Sequence, residues 1–139
     1  MKYIDITIDF ETCGLSANAA PMQIAAVAWD RDAESWEKAR LKTFSQCIDL
    51  RSCIDLGMEF DPETITWWAE RKEDVRSSVL YGSCVTLDRA MSEFFSFVRD
   101  FYASYNDVKI CLWAQGSDFD IPILRNIARK LTTRFYGAD

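Results

Sequence analysis

Residues 3–10, Tyr3-Ile4-Asp5-Ile6-Thr7-Ile8-Asp9-Phe10, alternate between apolar and polar positions. Ile4, Ile6, Ile8 and Phe10 share one face; Asp5, Thr7, Asp9 and Glu11 share the other. A period of two with β-branched residues predicts a strand. Residues 13–18 read as a turn, and the apolar run 24–29 as a second strand. Residues 30–32 turn the chain, and 41–48 can form a third strand, so the start reads as an antiparallel meander. Residues 49–60, which include Gly57, read as a loop. Asp61-Pro62-Glu63-Thr64 opens a helix, with Asp as N-cap and Pro at the first helical position. Residues 87–102 carry the widest apolar stripe at the 3.6-residue period, with Phe94 at its centre. Residues 108–113 read as a strand and 121–131 as a last helix, with Ile123, Leu124, Ile127, Ala128 and Leu131 facing inward. The order β-β-β-α-α-β-α predicts one α/β domain over 1–139, a mixed sheet with helices packed on it.

Composition narrows the setting. The 139 residues are 49% hydrophobic and 27% charged, which suits one soluble core. No run is long enough to cross a bilayer. The N-terminus enters a strand at once, which does not read as a signal peptide. The formal net charge is −6 and no basic block stands out, so the field of the whole molecule opposes general coating of nucleic acid. Gripping a single chain end is compatible with that balance, because bound cations supply local positive charge. Five cysteines without a C-x-x-C pair read as free thiols in a reducing, cytoplasmic setting. No histidine is present, which removes histidine bases and mixed Cys/His zinc sites.

The candidate chemistry is acidic. Asp9 and Glu11 lie two apart on a strand, so both point to one side. Asp120 follows the strand 108–113 at the start of the last helix. If these two strands are neighbours, the three carboxylates meet at one sheet edge. An all-oxygen donor set selects Mg²⁺ or Mn²⁺. Two such ions about 3.5–4 Å apart hold the attacking and leaving oxygens of a phosphoryl displacement. Each residue also has an ordinary structural use. Asp9 can simply end a strand, Glu11 can be a solvated turn residue, Asp118 can be a surface group and Asp120 can be a helix cap. Trp67 and Trp68 face about 100° apart on a helix, so one ring belongs to the core. Trp68, with Ile65 and Ala69, is the core candidate. Trp67 is the candidate for base stacking.

The run Ile8-Asp9-Phe10-Glu11-Thr12-Cys13-Gly14-Leu15 resembles the first motif of DEDD 3′–5′ exonucleases, which have a ribonuclease H-like fold. Residues 61–68 and 113–120 resemble the small 3′–5′ exoribonuclease-like branch found in bacteria and phages. The resemblance implies Asp9 as the ligand bridging two metals, Glu11 on one of them and Asp120 as the second-motif ligand. It also implies Thr12 and Leu15 against the terminal nucleotide, at the 3′ end of RNA or single-stranded DNA. The sequence departs from the family at the third motif, a helix carrying a fourth carboxylate and a His or Tyr base. Only Tyr136 and Asp139 offer such groups, one residue short of the family spacing. The chain therefore reads as C-terminally truncated. Loss of a positioned base costs about 10²–10⁴-fold in rate, so turnover is expected to be slow. A homodimer or a protein partner covering the place of the missing helix is also expected. The alternative is a catalytically inactive ribonuclease H-like module that binds a protein or a nucleic-acid end.

Overall fold

The computed structural model describes residues 1–79, 83–116 and 118–136, with side chains as far as Arg134 in the last helix. The Tyr136 side chain and Asp139 lie outside what is described.

The alternation at the start becomes β1 (Lys2–Thr12), paired antiparallel with β2 (Pro21–Trp29). A single turn of helix, α1 (Trp36–Ala39), leads into β3 (Arg40–Cys47), which is antiparallel to β2. β4 (Val108–Ala114) joins the other side of β1 in parallel, giving the order β3-β2-β1-β4. Ile4, Ile6 and Ile8 are essentially solvent-free, and Met22, Ile24, Ala26 and Ala28 of β2 continue the same buried face. On that face lie α5 (Leu87–Ser104) and α6 (Asp120–Tyr136). Phe94 of α5 is 1% exposed and packs with Phe44, Phe95 and Phe97. Ile123 and Ile127 of α6 are fully buried. The mixed sheet with helices on it is thus as the residue pattern implies. Among the described residues, no helix is long and apolar enough to cross a membrane.

Four expectations need correction. The segment read as a loop over 49–60 contains α2 (Leu50–Asp55), capped by the Asp49 side chain on the Arg51 N–H. A further helix, α4 (Glu73–Val79), follows α3 (Pro62–Ala69). Both are too short to show a helical period. The cysteines are not all free: Cys47 is bonded to Cys84, and only Cys13, Cys53 and Cys111 remain as thiols. Backbone pairing explains this, because Val85 N–H donates to the Cys47 carbonyl at 3.1 Å and Ile48 bridges Val85. The pairing sets two residues 37 apart side by side. Finally, Ile65 and Ala69 are exposed; only Trp68 of the expected α3 face turns inward.

The other face of the sheet carries a polar device that the sequence did not suggest. Asp5 is 0% exposed. It accepts from Arg31 Nε at 2.8 Å, from an Arg31 Nη at 2.6 Å and from the Trp113 indole at 2.6 Å. Trp29 stands beside Trp113 and donates its indole N–H to the Thr7 hydroxyl. A buried carboxylate is tolerable here because each of its oxygens has a donor.

Candidate active site

Parallel pairing of β1 and β4 sends the C-terminal ends of both strands to the same edge. The register ends with Ile8 opposite Ala114, while β1 runs on to Thr12. Beyond Ile8, β1 has no strand on that side, and the Phe10 N–H needs another acceptor. Asp120 supplies it: its Oδ1 accepts from Phe10 N at 3.0 Å, and the side chain is 2% exposed. Asp120 is therefore not the N-cap suggested by its place before an apolar helix. It is the first residue of α6, with its carboxylate turned onto β1.

This bond brings Asp120 to the end of β1 that carries Asp9 and Glu11. Asp9 is exposed, Glu11 half-buried. A register shift between Glu11 and Thr12 ends the regular alternation at this point. The electrostatics reflect the crowding. Burial pushes the Glu11 carboxyl above its ordinary value. The Asp9 charge and hydrogen bond and the Asp120 charge push the same way. Asp120 is also raised, first by burial and then by the Asp9 charge, against the Phe10 N–H, which favours the ionised form. The three predicted carboxylates thus form one interacting group, and no lysine or arginine offsets it in either balance.

The donor chemistry fits a hard divalent cation: oxygen donors only, two of them disfavoured in ionised form by their neighbours. Among the described residues, however, no group of three or more acidic, His or Cys side chains is gathered closely enough to hold a metal ion. Asp118, the upstream acidic neighbour, is exposed.

Around the cluster, the other predicted residues divide. Leu15 is 80% exposed on the turn after β1. Thr12 is buried, and its hydroxyl donates to the Gly14 carbonyl at 2.7 Å, so its side chain braces that turn. Gly14 leaves no room for a larger residue without adjustment, since an added Cβ would sit 3.3 Å from Ala19 Cβ and 3.4 Å from Asp61 Cβ. Trp68 donates its indole N–H to the Thr12 carbonyl at 2.9 Å and fastens α3 to the end of β1. Trp67 is 48% exposed, edge-on to Trp68, with the Arg71 guanidinium 4.2 Å from its ring centre. Cys13 is buried, and burial pushes its thiol up to about 11, which makes it inert.

Two parallel strands thus end at one edge of a mixed sheet, with Asp9 and Glu11 at the end of β1 and Asp120 opening the helix that follows β4. The chain belongs to the 3′–5′ exoribonuclease Rv2179c-like domain family, whose model matches residues 4–136. Among curated proteins, an exodeoxyribonuclease of Enterobacteria phage T4 is 28% identical over 138 residues, covering 91% of this chain and 56% of that protein. The chain thus spans just over half the length of this relative. E. coli Exonuclease I in complex with a dT13 oligonucleotide matches with a TM-score of 0.56 and 15% identity, over 93% of this chain and 24% of that one. Cell-death related nuclease 4 (CRN-4) matches with a TM-score of 0.53 and 12% identity, over 94% of this chain and 39% of that one. These structures establish the shared exonuclease-like, ribonuclease H-like fold.

Proposed function

We propose that this chain hydrolyses phosphodiesters at the 3′ end of RNA or single-stranded DNA, using Mg²⁺ or Mn²⁺ held by Asp9, Glu11 and Asp120. The observation that carries the reading is the electrostatic coupling of Asp9, Glu11 and Asp120 at one sheet edge, with ionisation of Glu11 and Asp120 opposed by burial and by the neighbouring charges. A bound cation would draw the three carboxylates closer together. Such a cluster costs stability at neutral pH unless a cation occupies it. When bound, a pair of divalent cations supplies Lewis-acid activation of water and stabilises charge on the attacking and leaving oxygens. The protein's own groups do the rest. Leu15 offers an apolar contact to the terminal nucleotide, on a turn braced by Thr12. Trp67 offers a face for a base, with Arg71 on the ring. Asp120 is oriented by the Phe10 N–H, which fixes one of its oxygens.

The direct test is metal-dependent shortening of 5′-labelled single strands, with Asp9→Ala as control. We expect stepwise loss from the 3′ end in wild type and none in the variant. Equal activity in both would overturn the assignment. A readout free of turnover is thermal stability: Mn²⁺ is expected to raise the Tm of wild type and not that of Asp9→Ala. A second reading, a non-catalytic module that grips a nucleic-acid end, is favoured by the lack of any histidine. It requires Mn²⁺-dependent binding of a strand that stays intact.

A further inference from the structure

We propose that the outer side of α6 is a track for the internucleotide phosphates of a single strand whose 3′ end lies at the carboxylate cluster. The proposal rests on the nuclease reading for what occupies the end of the track. In a chain of net charge −6, residues 121–134 contain Arg125, Arg129, Lys130 and Arg134 and no acidic residue. Arg125, Arg129 and Arg134 are exposed and Lys130 is half-buried. Among the described residues, none of the four lies within ion-pair distance of a carboxylate, whereas Lys2, Arg31, Lys38, Lys42 and Arg89 do.

The cations form two rows at helical spacing. Arg125 and Arg129 make the outer row. Asn126, Lys130 and Arg134 make the inner one, which is fastened to the body of the protein. Asn126 donates to Asn18 Oδ1 at 2.9 Å, Lys130 to the Leu56 carbonyl at 3.0 Å and Arg134 to the Asp55 carbonyl at 3.5 Å. Between these rows and the end of α2 runs an open groove of about 510 Å³, whose one acidic lining residue is Asp55. The Asn126–Asn18 bond joins the ridge to the turn that exposes Leu15, so the two surfaces are continuous. At about 1.5 Å per residue, the basic side chains begin roughly 8 Å from Asp120 along the helix and extend to about 21 Å. Cations in the last helical turn complement the helix dipole, and that accounts for Arg134. It does not account for Arg125 and Arg129, which lie earlier. A polyanion leading away from the cluster matches the whole row in charge and direction.

The test is fluorescence anisotropy in chelator, with a labelled oligothymidylate and an oligouridylate, each about twelve nucleotides long. The proteins are wild type, Arg125→Gln/Arg129→Gln, the quadruple variant that adds Lys130→Gln and Arg134→Gln, and Arg40→Gln/Lys109→Gln as a charge control on β3 and β4. We expect the quadruple variant to bind at least about tenfold more weakly at low salt. Its slope of log K against log salt should be shallower by about 0.7 per lost phosphate contact, roughly 2–3 in all. The double variant, which touches only exposed side chains, should lose a proportionate part. An unchanged slope in both variants, or equal losses in the charge control, would overturn the track. Response to only one of the two oligonucleotides identifies the natural strand. Failure of the nuclease reading looks different: the strands bind with the expected slopes, yet neither is shortened when Mn²⁺ is restored.

Discussion

Asp120 has two separable uses. Its oxygen completes the hydrogen bonding of β1 at Phe10, and its charge belongs to the acidic group at the site. Asp120→Asn retains an oxygen for the Phe10 N–H and removes a repelling charge, so it should fold with stability near wild type while losing the Mn²⁺-dependent rise in Tm. Asp120→Ala should in addition lose about 1–3 kcal/mol, because a buried N–H is left unpaired; chemical denaturation of the two variants separates the effects. Asp5 behaves oppositely with pH. The Arg31 hydrogen bonds hold its carboxyl below the ordinary value, with the Trp113 indole and the Arg31 charge acting in the same direction. A lowered carboxyl contributes stability above its unfolded pKa, about 3.9, and loses it as pH falls through the folded value. Asp5→Asn should therefore be clearly less stable than wild type at neutral pH, with the gap closing in acid; a gap constant with pH would exclude the ion pair as its cause. Strand parity singles out Asp9 and Glu11, and the start of the last helix singles out Asp120, as candidates from the chain alone. The bond to Phe10 was not readable there, since it depends on β4 stopping opposite Ile8.

At the scale of elements, periodicity did most of the work. The stripe of α5 is buried at Leu87, Ala90, Met91, Phe94 and Phe101 as its spacing implies, while Phe95 and Tyr102 of the same stripe are exposed and Phe97 is buried in their stead. Phe94→Ala should cost about 3–5 kcal/mol in denaturant titration. A loss below half a unit would mean that the ring packs against little. α3 illustrates the limit of the same reasoning. Its eight residues include none that is fully buried, and its hold on the body runs through Trp68. Trp68→Ala should release α3 and lower Tm, whereas Trp67→Ala should leave Tm unchanged and weaken strand binding by about 1–3 kcal/mol. The reverse pattern would exchange their roles. α2 and α4, of six and seven residues, escaped notice because two turns are too few to distinguish a helix from a polar loop.

For the whole molecule, the fold class follows from order and pattern, since an antiparallel start with a later strand leaves few neighbours for β1 other than β4. Long-range covalent closure does not follow, because no local signal links Cys47 to Cys84. Under denaturing conditions the oxidised protein should expose three reactive thiols, those of Cys13, Cys53 and Cys111, and five after reduction. In the native state Cys53, pushed up to about 12 by burial, and Cys13 should stay silent. Rapid native labelling of all five would show both the packing and the pairing to be wrong.

The hydrogen bond between Phe10 and Asp120 joins positions 110 residues apart. The β1–β2–β3 meander closes through short connections, but the carboxylates meet only after β4 docks. Closing so long a loop costs entropy that local hairpins avoid. The acidic group should therefore assemble late in folding, and its own repulsion opposes the last step. In hydrogen exchange, the amides of β1 facing β2 should outlast that of Phe10, which opens whenever β4 and α6 lift away. A divalent cation present during refolding would then act on the final docking step, closing the sheet faster without altering the formation of the meander.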